Sequence, residues 1–109
     1  MVKQEISRFE IWLIQLDPAQ GFEIRETRPC VVISPDEMSS LKTAIVAPMT
    51  SKGFNFPTRI PCTFKGKKGW ILLDQIRAVD KSRLVKRLGI LSKSAQIKTI
   101  NCLQELFAL

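Results

Sequence analysis

Short apolar runs, each bounded by turn-forming residues, fill most of the chain before residue 92 and restrict it to a sheet of many short strands. The predicted strands are residues 8–16, 29–34, 43–49, 58–64, 70–73, 75–79 and 83–91. The first run has consecutive apolar side chains and is predicted to be buried on both faces, whereas Pro61 places residues 58–64 at a sheet edge or a bulge. Residues 65–69 (KGKKG) predict a hairpin turn.

One helical pattern follows these strands. Ser92 is a suitable N-cap, and a helix is predicted from there to the C-terminus. Its apolar side chains, at helical spacing, are Ile97, Ile100, Leu103, Leu106 and Phe107. This stripe is predicted to pack in the core or in a dimer, and residues 35–38 predict a further helical turn. The sequence therefore predicts a mainly β (α+β) fold, a small barrel or roll with a C-terminal helix and short additional helices.

The size of the chain allows one hydrophobic core. With 109 residues, of which 45% are hydrophobic, residues 1–109 are predicted to form a single domain. A fold of this size leaves much of its surface exposed, so a homodimer or another partner is also predicted. No linker or internal repeat marks a second unit.

Positive charge is concentrated in the second half. The formal net charge is +7, and residues 59–109 carry eleven Lys and Arg against three Asp and Glu. Residues 1–58 carry six against seven. Such an excess favours polyanions or acidic protein segments through long-range attraction. The alternative is a solvated basic surface that only aids solubility.

The composition excludes several chemistries. The chain has no histidine and no tyrosine, which rules out Ser-His-Asp and Cys-His mechanisms and any His-ligated metal. Its three widely spaced cysteines form no Cys-x-x-Cys pair, so neither a zinc site nor a redox pair is predicted, and no cofactor is expected. No apolar signal-peptide core and no stretch of membrane-spanning length is present, which predicts a cytoplasmic protein without membrane contact.

Two polar segments border predicted strands. Arg28-Pro29 leads into the strand at 29–34, and Thr50-Ser51 follows the strand at 43–49. If these strands are neighbours, a guanidinium, two hydroxyls and the nearby carboxylate of Glu23 can converge at one end of the sheet. That combination suits phosphate binding and chemistry. The alternatives are a surface ion pair of Arg28 with Glu23 or Glu26, and a strand-ending turn at Thr50.

The order and spacing of several short segments carry a resemblance to a known family. These segments are EIW (10–12), LDP (16–18), GFE (21–23), TRP (27–29), SP (34–35), VAPMTS (46–51), FP (56–57) and LDQIR (73–77). From about Arg8 to the C-terminus the chain resembles the MazF/PemK toxins, the endoribonuclease half of type II toxin–antitoxin pairs.

The resemblance implies an SH3-like barrel, a homodimer and metal-free cleavage of single-stranded RNA at short sequences. It also implies an acidic antitoxin partner, with DNA contacted only through that antitoxin. The family's catalytic pair falls on Arg28 and Thr50, its loop glutamate on Glu23 and its strand aspartate on Asp74. The family often has glycine two residues before the motif arginine, where this chain has Glu26.

These residues suggest a mechanism in which the RNA 2′-hydroxyl attacks the adjacent phosphate, leaving a 2′,3′-cyclic phosphate and a 5′-hydroxyl. Arg28 is assigned to transition-state stabilisation and Glu23 to general base, because arginine is a poor proton acceptor. Loops 17–27 and 51–57 are expected to read bases. The supporting or RNA-binding candidates are Arg25, Ser51, Lys52, Phe54, Phe56, Asp74, Arg77, Arg83 and Lys86.

Two other functions use the same fold. A CcdB-type gyrase poison relies on a tryptophan in its C-terminal tail, and this chain has no tryptophan after Trp70. A catalytically silent module would only bind the antitoxin and co-repress its operon. The presence of Arg28, Thr50 and Ser51 favours a nuclease over the silent module. Asp74 in a nuclease could still be a structural hydrogen-bond acceptor only.

Overall fold

The computed structural model describes residues 5–109, which form seven strands and one α-helix. The strands are β1 (Glu10–Gln15), β2 (Thr27–Val32), β3 (Thr43–Thr50), β4 (Arg59–Phe64), β5 (Lys67–Leu72), β6 (Arg77–Asp80) and β7 (Leu84–Ile90). The helix, α1, is Lys93–Leu106, and short 3-10 turns span Asp36–Met38, Leu73–Gln75 and Lys81–Arg83. No helix within residues 5–109 is long and apolar enough to cross a membrane.

Strand β3 is the branch point of the sheet. One of its edges pairs antiparallel with β2, and its other edge is divided between two partners. Residues 43–46 pair with β6, whereas Met49 and Thr50 pair with β5. The sheet order is β4-β5-β3-β2-β1-β7, with β6 beside β3, and the sheet curls into a half-barrel. The predicted mainly β fold with a C-terminal helix is confirmed.

Both faces of the central strands are buried. Trp12 and Ile14 of β1 pack in one apolar cluster with β6 and β7, whereas Ile11 packs in a second cluster with β4 and β5. Because successive strand residues point to opposite faces, a strand between two cores needs consecutive apolar residues. The prediction that the first strand is buried on both faces is confirmed. The second cluster is covered by α1, through the buried Ala95.

Two strands begin earlier than predicted. Strand β2 begins at Thr27 rather than at Pro29, because Thr27 and Arg28 already pair with β1. The predicted turn at residues 65–69 is shorter, since only Lys65 and Gly66 make it. Both have positive φ, 51° and 78°, as a tight two-residue hairpin with the twist of its strands requires. Residues 67–69 therefore belong to β5.

The helix begins as predicted but turns a different face to the core. Ser92 caps it, with its side-chain oxygen accepting a hydrogen bond from the Ala95 amide at 3.3 Å. Small side chains, Ala95 and Thr99, face the sheet and allow close packing, while Leu103 packs partly. The prediction of core packing is wrong for three residues of the apolar stripe on the helix, because they are exposed: Ile97, Leu106 and Phe107. Dimer packing of these residues stays a prediction.

Replacement of Thr99 by valine is expected to stabilise the protein. Thr99 is fully buried, and within residues 5–109 its Oγ1 has no hydrogen-bond partner. Valine keeps the shape and removes the unpaired hydroxyl, so the free energy of unfolding should rise by about 1 kcal/mol. Urea denaturation of the two proteins measures this difference. Thr99→Ser is the control, because it keeps the hydroxyl and loses the methyl group, and it should be less stable than the wild type.

A Thr99→Val protein less stable than the wild type would contradict this expectation. It would show that the hydroxyl has a partner in solution, such as a buried water.

Candidate active site

Arg28, Thr50 and Ser51 lie around one pocket of about 230 Å³. Strands β2 and β3 are antiparallel neighbours, with Cys30 opposite Pro48, so the start of β2 and the end of β3 meet at the same edge. The neighbouring strand β5 closes another side of the pocket. A guanidinium and two hydroxyl-bearing residues thus share one concave site.

The loop before Arg28 holds the guanidinium. Arg28 is half-buried, and its Nε donates a hydrogen bond to the Arg25 carbonyl at 2.7 Å. In residues 5–109, Arg28 forms no ion pair with Glu23 or Glu26. The alternative prediction, that Arg28 is only the partner in a surface ion pair, is therefore wrong. Glu26 adopts φ of 72°, a left-handed conformation that glycine takes at lower cost.

Thr50 both forms a turn with Lys52 and lines the pocket. Its Oγ1 accepts a hydrogen bond from the Lys52 amide at 3.1 Å and lies 3.3 Å from the Lys52 carbonyl. The predicted turn role is therefore present alongside the pocket position. Strand β5 approaches this point closely, because a Cβ added to Gly69 would lie 2.6 Å from the Thr50 carbonyl oxygen. Only glycine fits there without moving the backbone.

Sequence reasoning missed three pocket residues, Lys67, Lys68 and Trp70. From the sequence, both lysines fall in the predicted turn at 65–69, and Trp70 begins the predicted strand at 70–73. A two-residue Lys-Gly turn at 65–66 was the available signal, since it extends the next strand back to Lys67. Their side chains add two cations and an indole to the site of Arg28.

Cys62 also lines the pocket, as an unreactive thiol. Burial raises its pKa, so it stays protonated near neutrality and is a poor nucleophile. Burial likewise raises the pKa of the neighbouring core cysteine, Cys30, to about 12. In residues 5–109, no group of three or more carboxylate or cysteine side chains is gathered that could hold a metal ion.

Glu23 and Asp74 lie in a separate cavity, together with Arg77. Glu23 is exposed, and its Oε1 accepts a hydrogen bond from the Gln20 amide at 2.6 Å. The structure therefore does not bring Glu23 to the pocket of Arg28 and Thr50. Its role as general base stays a prediction that requires the loop at 17–26 to change position.

Asp74 anchors the loop between β3 and β4. It accepts two hydrogen bonds from Arg59, at 3.3 and 3.2 Å, and one from Thr58 at 3.1 Å. The Arg59 guanidinium also lies over the Phe54 ring, 4.5 Å from its centroid. Phe54 in turn contacts Phe56 edge to face, with both rings more than half exposed. Asp74 is thus a structural acceptor that holds an exposed aromatic pair in place.

Other predicted basic residues lie outside the pocket. Arg77 and Arg83 donate to carbonyls at the end of β1, Leu16 and Gln15, each at 3.1 Å. Arg25 donates to the Gly21 carbonyl at 3.0 Å. Of the remaining two, Lys52 is exposed in the β3–β4 loop and Lys86 is exposed on β7. The structure assigns the three arginines to local structure and does not gather these five residues with Arg28.

Replacement of Gly69 by alanine should destabilise the protein by about 1–3 kcal/mol. The new methyl group would collide with the backbone carbonyl of Thr50, which pairing with β5 prevents from moving away. Urea denaturation measures the change, with Lys68→Ala as the control. Lys68 is exposed on the same strand, so its replacement should alter the stability by less than about 0.5 kcal/mol. Equal stability of Gly69→Ala and the wild type would contradict the close approach.

Replacement of Asp74 by asparagine should reduce stability in a pH-dependent way. Partial burial alone would raise the pKa of Asp74, but hydrogen bonds from Arg59 and Thr58 outweigh it and keep the pKa below its usual value. The stabilisation is therefore complete above the unfolded pKa of about 3.9 and is lost as the pH falls through the lower folded pKa. Because the pair is partly exposed, Asp74→Asn should cost at most about 1 kcal/mol at neutral pH.

Urea denaturation of the wild type and Asp74→Asn at pH values of about 7, 5 and 3 measures this effect. The difference should be similar at the two higher values and smaller at the lowest. A difference that stays constant down to the lowest pH would show that the charge of Asp74 is not its source.

Comparison with known proteins places the chain in a family. Residues 7–107 match the family of PemK-like, MazF-like toxins of type II toxin–antitoxin systems. The endoribonuclease MazF of Staphylococcus epidermidis is 34% identical over 105 residues, covering 90% of this chain and 88% of that protein. Two solved structures share the fold. The crystal structure of MazF from Deinococcus radiodurans matches with a TM-score of 0.85 and 21% identity, covering 98% of this chain and 100% of that one.

The second is an endoribonuclease in complex with its cognate antitoxin, from a Mycobacterial species. It matches with a TM-score of 0.80 and 16% identity, covering 95% of this chain and 96% of that one. At identities of 21% and 16%, these two structures show the fold alone. The family match spans nearly the whole sequence and includes every strand and α1. The chain belongs to the PemK-like, MazF-like toxins of type II toxin–antitoxin systems.

Proposed function

We infer that this protein is an endoribonuclease toxin that cleaves single-stranded RNA at short sequences without a metal ion. The family and the curated relative support the endoribonuclease activity. The observation that carries the chemistry is the shared pocket of Arg28, Thr50 and two lysines at the end of the sheet. Such a pocket can hold one phosphodiester group among fixed positive charges.

The reaction uses a nucleophile that RNA supplies. Attack of the 2′-hydroxyl, which gives its proton to a base, on the adjacent phosphorus forms a phosphorane with two negative charges. The bond to the 5′-oxygen then breaks, the 5′-oxygen takes up a proton to become a hydroxyl, and a 2′,3′-cyclic phosphate is left. Arg28 presents a planar fork of donors to the non-bridging oxygens, and Lys67 and Lys68 add positive charge. Preorganised donors of this kind stabilise a transition state more than the substrate, because charge develops as the reaction proceeds.

Proton transfer is assigned to a carboxylate. Arginine holds its proton at any ordinary pH and therefore serves poorly as a base. Glu23 is the candidate base, and its loop must approach the 2′-hydroxyl once RNA is bound. Base recognition is assigned to this loop and to Phe54 and Phe56, whose exposed rings suit stacking on unpaired bases.

Two assembly partners complete the proposal. One is an acidic antitoxin: the chain's net charge of +7 favours an acidic partner, and the Mycobacterial endoribonuclease of the same fold is in complex with its cognate antitoxin. The other is a second copy of this chain, and the exposed apolar residues of the helix (Ile97, Leu106 and Phe107) are suitable for that contact. The site of action is proposed to be the cytoplasm, where the RNA substrate is found.

Cleavage of a single-stranded RNA library in the presence of a chelator tests the proposal. The wild type should cleave, with cyclic-phosphate and 5′-hydroxyl ends identified on the products. Arg28→Ala should lower the rate about 100- to 1,000-fold, by analogy with removal of one oxyanion donor. Lys42→Ala is the control, because Lys42 is exposed, lies outside the pocket and carries the same charge.

Full activity of Arg28→Ala would overturn the assignment of Arg28, and activity that the chelator abolishes would overturn the metal-free mechanism. An absence of cleavage by the wild type would point to a gyrase poison or a silent antitoxin-binding module.

A further inference from the structure

A second cavity, of about 730 Å³, adjoins the Arg28 pocket. The two cavities share five lining residues: Ser51, Cys62, Lys68, Gly69 and Trp70. From this shared wall the second cavity extends to the first turns of α1 and reaches Lys98. We call it the Trp70–Lys98 groove. The two cavities therefore lie side by side along these five residues.

The size of the groove suits a nucleotide. Its volume falls within the range of about 300–1,000 Å³ that is common for small-molecule sites. The Arg28 pocket, at about 230 Å³, lies below that range. The larger, adjoining space is thus where the next unit of the chain would lie.

The charge of the groove favours a polyanion. Lys68 of β5 and Lys98 of α1 both line it, and its described lining contains no carboxylate. Both lysines are exposed, and neither forms an ion pair within residues 5–109. Hydroxyls of Thr63 and Ser94 lie in the same wall and can donate to phosphate or ribose oxygens. A phosphate entering this space would meet positive charge and hydrogen-bond donors.

Trp70 gives the groove an aromatic surface at the boundary with the Arg28 pocket. Its position is fixed by pairing with Thr50 on one side and Pro61 on the other. Gly53 passes so close that an added Cβ would lie 2.6 Å from the indole Cδ1. The indole is therefore held in place while remaining partly exposed to both cavities. A fixed aromatic beside a basic groove is the usual composition of a single-stranded nucleic-acid site.

We propose that the Trp70–Lys98 groove binds the nucleotide next to the scissile phosphate, with Lys98 contacting the backbone phosphate of that nucleotide. This subsite rests on the proposed ribonuclease function and extends it beyond the residues of the catalytic pocket. RNA is favoured over an acidic peptide because the groove adjoins the Arg28 pocket and Trp70 places an aromatic ring at their boundary. Lys98 contributes to RNA binding and takes no part in the chemical step.

Binding of non-cleavable RNA across a range of salt concentrations tests the subsite. The probe is an RNA with a 2′-deoxy sugar at the preferred cleavage site and several nucleotides on each side. Fluorescence anisotropy measures its binding. For Lys98→Ala, the slope of log K against log salt should become shallower by about 0.7, as loss of one single-strand phosphate contact predicts. The affinity at low salt should fall by about 3- to 10-fold. Lys98→Arg should restore both values.

Lys93→Ala is the matched control. Lys93 lies on the same helix, is exposed and carries the same charge, but it does not line the groove. Its replacement should leave the salt slope unchanged. In cleavage assays, Lys98→Ala should raise KM while kcat is retained. A dinucleotide that spans only the scissile phosphate should be cleaved equally by Lys98→Ala and the wild type.

An unchanged salt slope in Lys98→Ala would overturn the proposal, even if that variant bound an acidic antitoxin peptide more weakly. Equal losses of RNA affinity and of salt slope in Lys93→Ala and Lys98→Ala would also overturn the proposal, because they would reflect net charge alone. Failure of the subsite is distinguishable from failure of the ribonuclease function. In the first case the wild type still cleaves RNA and Arg28→Ala does not; in the second the wild type neither cleaves nor binds RNA.

Discussion

The divided pairing of strand β3 is the constraint on which the rest of the structure depends. Its first half pairs with β6 and its second half with β5, and both partners run antiparallel to it. The sheet curls into a half-barrel, in which the β4–β5 hairpin lies beside the start of β2. Arg28, Thr50 and the hairpin lysines come from three separate strands and meet at the pocket because β5 replaces β6 beside the end of β3. The pocket is a consequence of the topology.

Close backbone contact allows β5 to pair with the end of β3. Gly69 lies against the Thr50 carbonyl at the last paired position of β3, and a larger residue would separate the strands where the pocket begins. The two apolar clusters on opposite faces stabilise the sheet. One end of the sheet can therefore carry exposed cations, because apolar packing stabilises the fold.

The sequence predicted the parts of the fold that local pattern determines. Apolar runs located the strands, Ser92 located the helix start, and the adjacency of two strands anticipated that Arg28 would lie near Thr50. The helix face was predicted wrongly, because close packing on a sheet favoured Ala95 and Thr99 over larger apolar residues. Partners of charged side chains were also unpredictable. Arg77 and Arg83 bind carbonyl oxygens, and every residue has a carbonyl, so no pattern in the sequence identifies which one is used.

This use of arginines also changes what the net charge of +7 means. Some cations of the second half are bound to the protein's own carbonyls and carboxylates, whereas others stay exposed near the pocket. Lys67, Lys68 and Lys98 belong to the exposed group, whereas Arg28 comes from the nearly neutral first half. The first half thus provides the proposed catalytic arginine, and the second half provides the surface that would attract and hold a polyanion. Because long-range attraction falls steeply with salt while a contact inside a pocket is screened less, the two halves should differ in how strongly salt affects their contributions.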